Sequence, residues 1–453
     1  MSDALAFATI GELGAAIRSG SVTPTELAMY FLERLDTVGR NLNAVATLTP
    51  ERALAAARKA EDELTAGVDR GPLHGIPYGA KDLLATVDYP TSWGAAPMRD
   101  QQFDRDAEVI RLLDEAGAVL CAKLSMVEIA GGFGYEQPDA AFNGPGKCAW
   151  GADSWAGGSS SGSGSAVAAG CMPFAIGTET WGSILCPSSF NGLTGLRPTY
   201  GTVSRSGAMA LSWTMDKIGP MCHTAVDCEL VLNAIAERVE WTEMERARPP
   251  FRLGVLAGSA DEAQPEVATN FAAALDVLSD FAVLEEVSLP ADIPWDAAAS
   301  VIVMAEAASA FEEFIVSGES QGLSAPEDRA GLHHALALPA TDYLRALRIR
   351  RKAMRLLDEL LSGYDAIVAP TMPYVAIPLR DRFDTWFGKE RGPSLGAAGN
   401  LCGVPSISVM NGLGERGLPT GLEFMARAGQ EGTLLEIAGR YQSATDWHRR
   451  QPE

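Results

Sequence analysis

The sequence predicts an α/β fold, a β-sheet with covering helices. Three observations predict it. Short apolar runs suited to buried strands recur along the chain, as at residues 76–78, 119–121 and 174–176. They alternate with helical stretches such as 105–116, the pattern of a sheet with covering helices. With 453 residues, 47% hydrophobic and 21% charged, the chain can bury a large core.

The first 70 residues read as helices. Thr23 can cap one, Pro24 fits its first turn, and Glu26 completes a capping box. Leu27, Tyr30, Phe31 and Leu35 then share one face. An alanine-rich helix follows over 50–66 from Pro50 and Glu51. From Gly75 the strand pattern begins. Residues 162–171 look helical and small-faced, suited to packing against the sheet. The apolar stretch 163–176 is 14 residues long, short of the ~20 of a membrane span, and reads as a buried helix. Residues 252–256 and 365–369 read as further strands, 341–361 as a long Arg-rich amphipathic helix, and 315–331 as a mobile loop marked by Gly318, Gly322, Pro326 and Gly331. Residues 237–250 are charged and end in proline but are short for a linker, and no repeat is present. A single domain over 1–453 is expected, with a helical part at about 1–70.

A net charge of −22 repels phosphate backbones, so no nucleic-acid partner is expected. Met1-Ser2-Asp3-Ala4-Leu5 has no basic region or long apolar core, so a cytoplasmic protein with no membrane partner is expected. The seven cysteines are scattered without a Cys-x-x-Cys. Reduced thiols, no metal and no cofactor are expected. Cys186, three residues past Ser183, is either a small buried side chain or a reactive thiol.

Three segments carry chemistry. One is Ala156-Gly157-Gly158-Ser159-Ser160-Ser161-Gly162-Ser163. Another is Glu179-Thr180-Trp181-Gly182-Ser183-Ile184-Leu185, and the third is Gly75-Ile76-Pro77-Tyr78-Gly79-Ala80-Lys81-Asp82. Two serines and a lysine can make a hydrolytic site without histidine or metal. A serine hydroxyl needs a proton acceptor, and none of His74, His223, His333, His334 and His448 sits in a Ser-His-Asp pattern. His74 reads as a support for the loop to Lys81. Lys81 serves as base only if neutral, which burial among Ile76, Pro77, Tyr78, Leu83 and Leu84 would favour. The competing reading is a surface lysine paired to Asp82.

These segments resemble the amidase signature family, which implies a central mixed β-sheet covered by helices on both faces, a signature core at about 71–225 and a variable substrate-region insert at about 250–360. The likeness continues through Gly195-Leu196-Arg197-Pro198-Thr199-Tyr200-Gly201 and Asp216-Lys217-Ile218-Gly219-Pro220. It resumes at Ala397-Ala398-Gly399-Asn400-Leu401-Cys402-Gly403-Val404-Pro405 and Gly417-Leu418-Pro419-Thr420-Gly421-Leu422. The resemblance implies Ser183 as nucleophile, Ser159 behind a cis peptide bond as proton relay, and Lys81 as base. Oxyanion donors would be backbone N–H groups of Thr180, Trp181, Gly182 and Ser183. Ser160 and Ser161 are supporting residues or solvated loop.

The family usually has Asp, Gly and Arg where Glu179, Trp181 and Leu185 stand. Without that arginine, Glu179 needs another partner or faces water. Trp181 either walls the acyl pocket or packs in the core, and it spoils the oxyanion loop only if its φ is positive. Family members hydrolyse aryl and fatty amides, urea derivatives, oligoamides and urethanes, and are often dimers. Met304, Phe311, Phe314, Ile315, Leu336 and Leu338, with Trp181, Trp213 and Trp386, suggest an apolar or aromatic substrate, or simply core. The leading expectation is a stand-alone hydrolase of small amides, carbamates or esters. The alternatives are the A subunit of a glutamine-dependent tRNA amidotransferase and a non-catalytic binding protein.

Overall fold

A computed structural model describes residues 5–132, 134–138, 140–236, 247–387 and 392–452. Along the chain the strands are β1 (Val45–Leu48), β2 (Pro77–Lys81), β3 (Val119–Leu124), β4 (Lys147–Cys148), β5 (Gly151–Trp155), β6 (Phe174–Glu179) and β7 (Thr194–Arg197). They continue as β8 (Lys217–Cys222), β9 (Phe251–Leu256), β10 (Ala282–Val287), β11 (Ala366–Pro370), β12 (Ser406–Leu413) and β13 (Pro419–Met425). β4 and β5 pair with each other. The others form one 11-stranded mixed sheet in the order β1-β3-β2-β6-β8-β7-β12-β13-β11-β9-β10. Its two flanks contain parallel pairs, β3/β2/β6 and β11/β9/β10. An antiparallel run from β6 to β11 joins them.

Every residue of β2, β3, β6 and β8 is buried. That is why these strands read as continuous apolar runs rather than alternating ones: helices flank the sheet and neither strand face meets water. Lys81, Lys123, Glu179 and Lys217 are therefore interior ionisable groups by position.

The helices Ile10–Arg18 and Pro24–Arg34 open on Thr9 and Thr23, each with a complete capping box to Glu12 or Glu26. The helix Pro50–Thr65 follows. Between them stands β1, antiparallel to β3 at the sheet edge, where helices alone were expected. Its four residues are too few to show a period, and pairing to β3 decides the conformation. The apolar stretch 163–176 is also not one helix. The helix Ser161–Ala168 stops before Gly170, whose φ is +62°, and β6 starts at Phe174. A left-handed glycine ends a helix at little steric cost.

Residues 315–331 are not a loop throughout. They hold the end of a helix at Val316, a short turn at Glu319–Gly322 and the start of the helix Pro326–Leu336. Pro326 begins that helix as an N-terminal proline should, and Glu128 accepts the N–H groups of Ser324 and Ala325, each at 2.8 Å. The glycine and proline signals marked element ends rather than a long coil. Of the stretch 237–250, residues 237–246 lie outside those described. The helix Ala340–Leu361 runs its predicted length.

All seven cysteines are free and buried, and no helix of the described residues is long and apolar enough to cross a membrane. Among the described residues no group of His, Cys, Asp and Glu side chains could hold a metal ion.

Candidate active site

Lys81 ends β2 with its side chain fully buried. Its Nζ stands 2.7 Å from Ser159 Oγ, 3.0 Å from Thr178 Oγ1 and 3.3 Å from Thr178 O. No surface pair with Asp82 forms. Asp82 instead faces Lys123 at 3.0 Å and accepts the N–H of Ser92 at 3.0 Å. Burial pulls the Lys81 amine down to about 7, against the opposing pull of Asp216 and Glu179.

Ser159 follows a cis peptide bond from Gly158. Gly157 has φ +80°, and a Cβ there would lie 2.8 Å from the Pro187 Cα, so glycine is required on two counts. Ser160 is buried and structural, not solvated. Its N–H reaches Ser183 O at 3.3 Å, its Oγ donates to Thr178 O at 3.2 Å, and it accepts the Thr178 N–H at 3.2 Å. These bonds tie the Ser159 segment both to β6 and to the loop carrying Ser183. Ser161 is buried as well.

The loop Thr180–Ser183 links β6 to the helix Leu185–Asn191. Gly182 has φ +86°, whereas Trp181 is not among the residues of positive φ. The indole therefore does not distort the loop. It is half-buried against a hydrophobic cluster that includes Leu395, Ala398 and Leu401. Among the described residues, the N–H groups of Trp181, Gly182 and Ser183 donate to no protein acceptor. Ser183 itself is buried at 8% exposure.

Glu179 does not face water. Arg197 Nη1 meets its Oε1 at 2.8 Å, and Asn400 Nδ2 meets the same oxygen at 2.9 Å. Its Oε2 accepts the N–H groups of Ile184 at 2.9 Å and Leu185 at 3.0 Å. Burial works against its charge, but Arg197 and Lys217 win and hold the carboxyl at about 2. Glu179 thus clamps the two residues after Ser183, and Arg197 substitutes for the arginine missing at Leu185. Both Arg197 and Asn400 lie in segments that carry the family likeness. Their convergence on one carboxylate was not visible, because 221 positions separate Asn400 from Glu179.

A cavity of about 320 Å³ opens beside Thr178 and Thr180. Its apolar wall includes Leu83, Ala130, Met209, Leu211 and Trp213, with Asp216 and Lys217 at its polar side. Apart from Trp213, these residues come from segments that carried no sequence signal for substrate contact. Phe311, Phe314 and Ile315 instead pack in the main core, with Met304 against it, while Leu336 is exposed. Trp386 stacks edge-on against Tyr374, with ring centroids 5.3 Å apart.

Cys186 is buried and its thiol is pushed up to about 12 by burial, so it is an inert side chain. His74 is buried, accepts the Arg70 N–H at 3.1 Å and meets Glu63 at 3.1 Å, as a loop support does. Thr178 was missed in the sequence. Its only signal was a hydroxyl residue near the end of a buried strand.

The chain belongs to the amidase family of C–N bond hydrolases, whose model matches residues 26–435. It is 34% identical to the A subunit of the glutamyl-tRNA(Gln) amidotransferase of Alkalilimnicola ehrlichii over 482 aligned positions, covering 98% of this chain and 99% of that protein. Among solved structures, the peptide amidase of Stenotrophomonas maltophilia superposes with a TM-score of 0.85 at 31% identity, covering 98% of each chain. The corresponding A subunit from Thermotoga maritima gives 0.75 at 26% identity, covering 96% of this chain and 94% of that one.

Proposed function

We propose that Ser183 is the nucleophile of a carboxamide hydrolase, with Ser159 as proton relay and Lys81 as base. The observation that carries this is a buried amine, brought down to about 7, in contact with the Ser159 hydroxyl at 2.7 Å. A neutral amine has two N–H donors and one lone pair. Thr178 O and Oγ1 take the donors, which leaves the lone pair for the Ser159 proton.

Ser183 Oγ attacks the amide carbon while its proton passes to Ser159, whose own proton passes to Lys81. The carbonyl π electrons move to oxygen, where the N–H groups of Trp181, Gly182 and Ser183 receive the charge. Collapse breaks the C–N bond, and the relay returns the proton to the leaving nitrogen. Water then cleaves the Ser183 ester by the same relay run in the same sense, releasing the acid.

The curated relatives favour one form of this activity over the other: the A subunit of a glutamyl-tRNA(Gln) amidotransferase, in which the amide is that of glutamine. A second form has its own support. The peptide amidase superposes more closely than the Thermotoga maritima protein, and the apolar wall around Trp213 suits a stand-alone hydrolase of apolar amides, carbamates or esters. Product release from an anilide, an aliphatic primary amide, an aryl carbamate, an aryl ester and glutamine separates the two. Wild type and Ser183→Ala are run alone and with the other amidotransferase subunits of the source organism. Glutamine turnover that appears only in the complex supports the amidotransferase form. Anilide or carbamate turnover by the chain alone supports the second, and turnover that survives Ser183→Ala contradicts both.

A further inference from the structure

The cavity wall that carries Leu211 and Trp213 lies on the loop before β8, and two separate parts of the molecule hold that loop. On the side of the Ser183 loop, Asp216 accepts the N–H groups of Leu211 at 2.9 Å and Ser212 at 3.0 Å, and it meets Thr180 Oγ1 at 2.5 Å. On the other side the tie is Glu306, from the helix Trp295–Ala310. Glu306 is buried, and the proposed mechanism gives it no task.

Each oxygen of Glu306 accepts two bonds. Its Oε2 takes the Ser212 hydroxyl at 2.6 Å and the Thr214 N–H at 3.1 Å. Its Oε1 takes the Thr214 hydroxyl at 2.7 Å and the Tyr343 hydroxyl at 3.0 Å. All but the Tyr343 bond come from the two residues that flank Trp213. Arg350, on the helix Ala340–Leu361, donates to the Thr214 hydroxyl at 2.7 Å and to Thr214 O at 2.6 Å. Trp213 O accepts from the Tyr200 hydroxyl at 2.7 Å and from Arg205. The Trp213 backbone is thus held from both sides, while its indole stays 44% exposed at the cavity. A carboxylate offers two acceptor oxygens to these four donors, and an amide of the same shape offers one.

We infer that Glu306 is a specificity-determining positioning residue: it fixes Leu211 and Trp213 as the wall against which an aromatic or other bulky apolar group on the acyl carbon packs. An apolar wall favours such a group only while it stands at contact distance, and a small shift forfeits the contact. The Ser183 loop has its own clamp, the Glu179 carboxylate on the N–H groups of Ile184 and Leu185. Loosening Glu306 therefore frees the wall and leaves the nucleophile in place.

This inference rests on Ser183 as the nucleophile beside that cavity, and its test separates the two. Phenylmethanesulfonyl fluoride and methanesulfonyl fluoride both sulfonylate a reactive serine with loss of fluoride, and only the first carries a ring. Their labelling rates at Ser183 are followed by mass spectrometry at one pH. Glu306→Gln should lower the ratio of the aromatic rate to the methyl rate by about tenfold, with the methyl rate within about twofold of wild type. Thr214→Val, which removes the hydroxyl that Glu306 and Arg350 share, should lower the ratio in the same direction. Thr214→Ser restores that hydroxyl and should keep the wild-type ratio. An equal loss with both probes in Glu306→Gln, or a ratio that does not change, would overturn the inference and leave Glu306 as a structural tie. A wild type that takes the methyl label and refuses the aromatic one also overturns it. If Glu306→Gln does not fold by circular dichroism, the two Thr214 variants decide: equal ratios overturn the inference, and a lower ratio in Thr214→Val supports it. Wild-type Ser183 that takes neither label instead fails the proposed nucleophile, a result distinct from any change of ratio.

Discussion

Lys81 and Lys123 lie on neighbouring strands, β2 and β3, and both side chains are fully buried. Their surroundings differ in one respect. Lys123 has the Asp82 carboxylate at 3.0 Å and the Thr91 hydroxyl at 2.7 Å. Lys81 has hydroxyls and a carbonyl only, and its nearest carboxylates act from a distance. Burial lowers the proton affinity of both amines, and Asp82 opposes it for Lys123. A carboxylate in contact offsets part of the burial penalty on the ammonium and makes such a lysine a structural element. Hydroxyls in contact leave a neutral amine with a lone pair, which can do proton chemistry. The partner, more than the burial, separates the two roles.

The widest divergence comes from removing each amine. Lys81→Met should reduce turnover by about 10³-fold, within the range for loss of a general base. It should leave the urea midpoint near wild type. Lys123→Met should do the opposite. It strands Asp82 in the interior and costs about 3–5 kcal/mol of stability by denaturant titration, with kcat of the folded fraction within about threefold of wild type. Loss of activity in both variants at unchanged stability would erase the distinction.

A more pointed change gives Lys81 the partner that Lys123 has. Thr178→Asp puts a carboxylate against the Lys81 amine and should raise its proton affinity by about 1–3 units. Because the base must be neutral, the wild-type kcat/KM should rise with pH through about 7 and then level off. In the variant the same rise should come at higher pH, with the plateau approached only in alkali.

Arg197→Met tests the clamp on the Ser183 loop. It leaves Glu179 buried with a lost cation, so a stability cost of about 3 kcal/mol or more is expected, together with slower Ser183 labelling. The smallest effect belongs to Cys186→Ala. The thiol is raised to about 12 and takes no part in the chemistry, so turnover should match wild type and stability should change by about 1 kcal/mol.

Much of this was readable in the chain. Strand and helix signals placed β2, β3, β6, β9, β11 and the long helix Ala340–Leu361, because each is either continuously apolar or strongly periodic. The capping box at Thr23 gave a helix start to the residue. What escaped was set by contacts remote in sequence. The strand Val45–Leu48 exists because Leu124, Lys123 and Ala122 pair with it, and four residues carry no period of their own. The partner of Glu179 lies on β7 and not at Leu185, because the sheet folds β6, β8 and β7 side by side. The cavity wall at Met209–Trp213 has no local signature, since its shape depends on which residues face Thr180. Ser159, Ser183 and Lys81 drew notice through motif and spacing, while Thr178, which completes the surroundings of Lys81, looked like an ordinary strand residue.

The central claim is that the Lys81 amine gives up its proton near neutral pH, and its titration can be observed directly. Protein with ¹⁵N-labelled lysine ε-amines is followed by NMR against pH, with Lys81→Met and Lys123→Met used to assign the two resonances that are compared. A Lys81 signal that titrates near 7, separate from a Lys123 signal that stays protonated through that range, is the predicted result. A Lys81 signal that remains an ammonium up to about pH 10, the ordinary lysine value, would contradict the account.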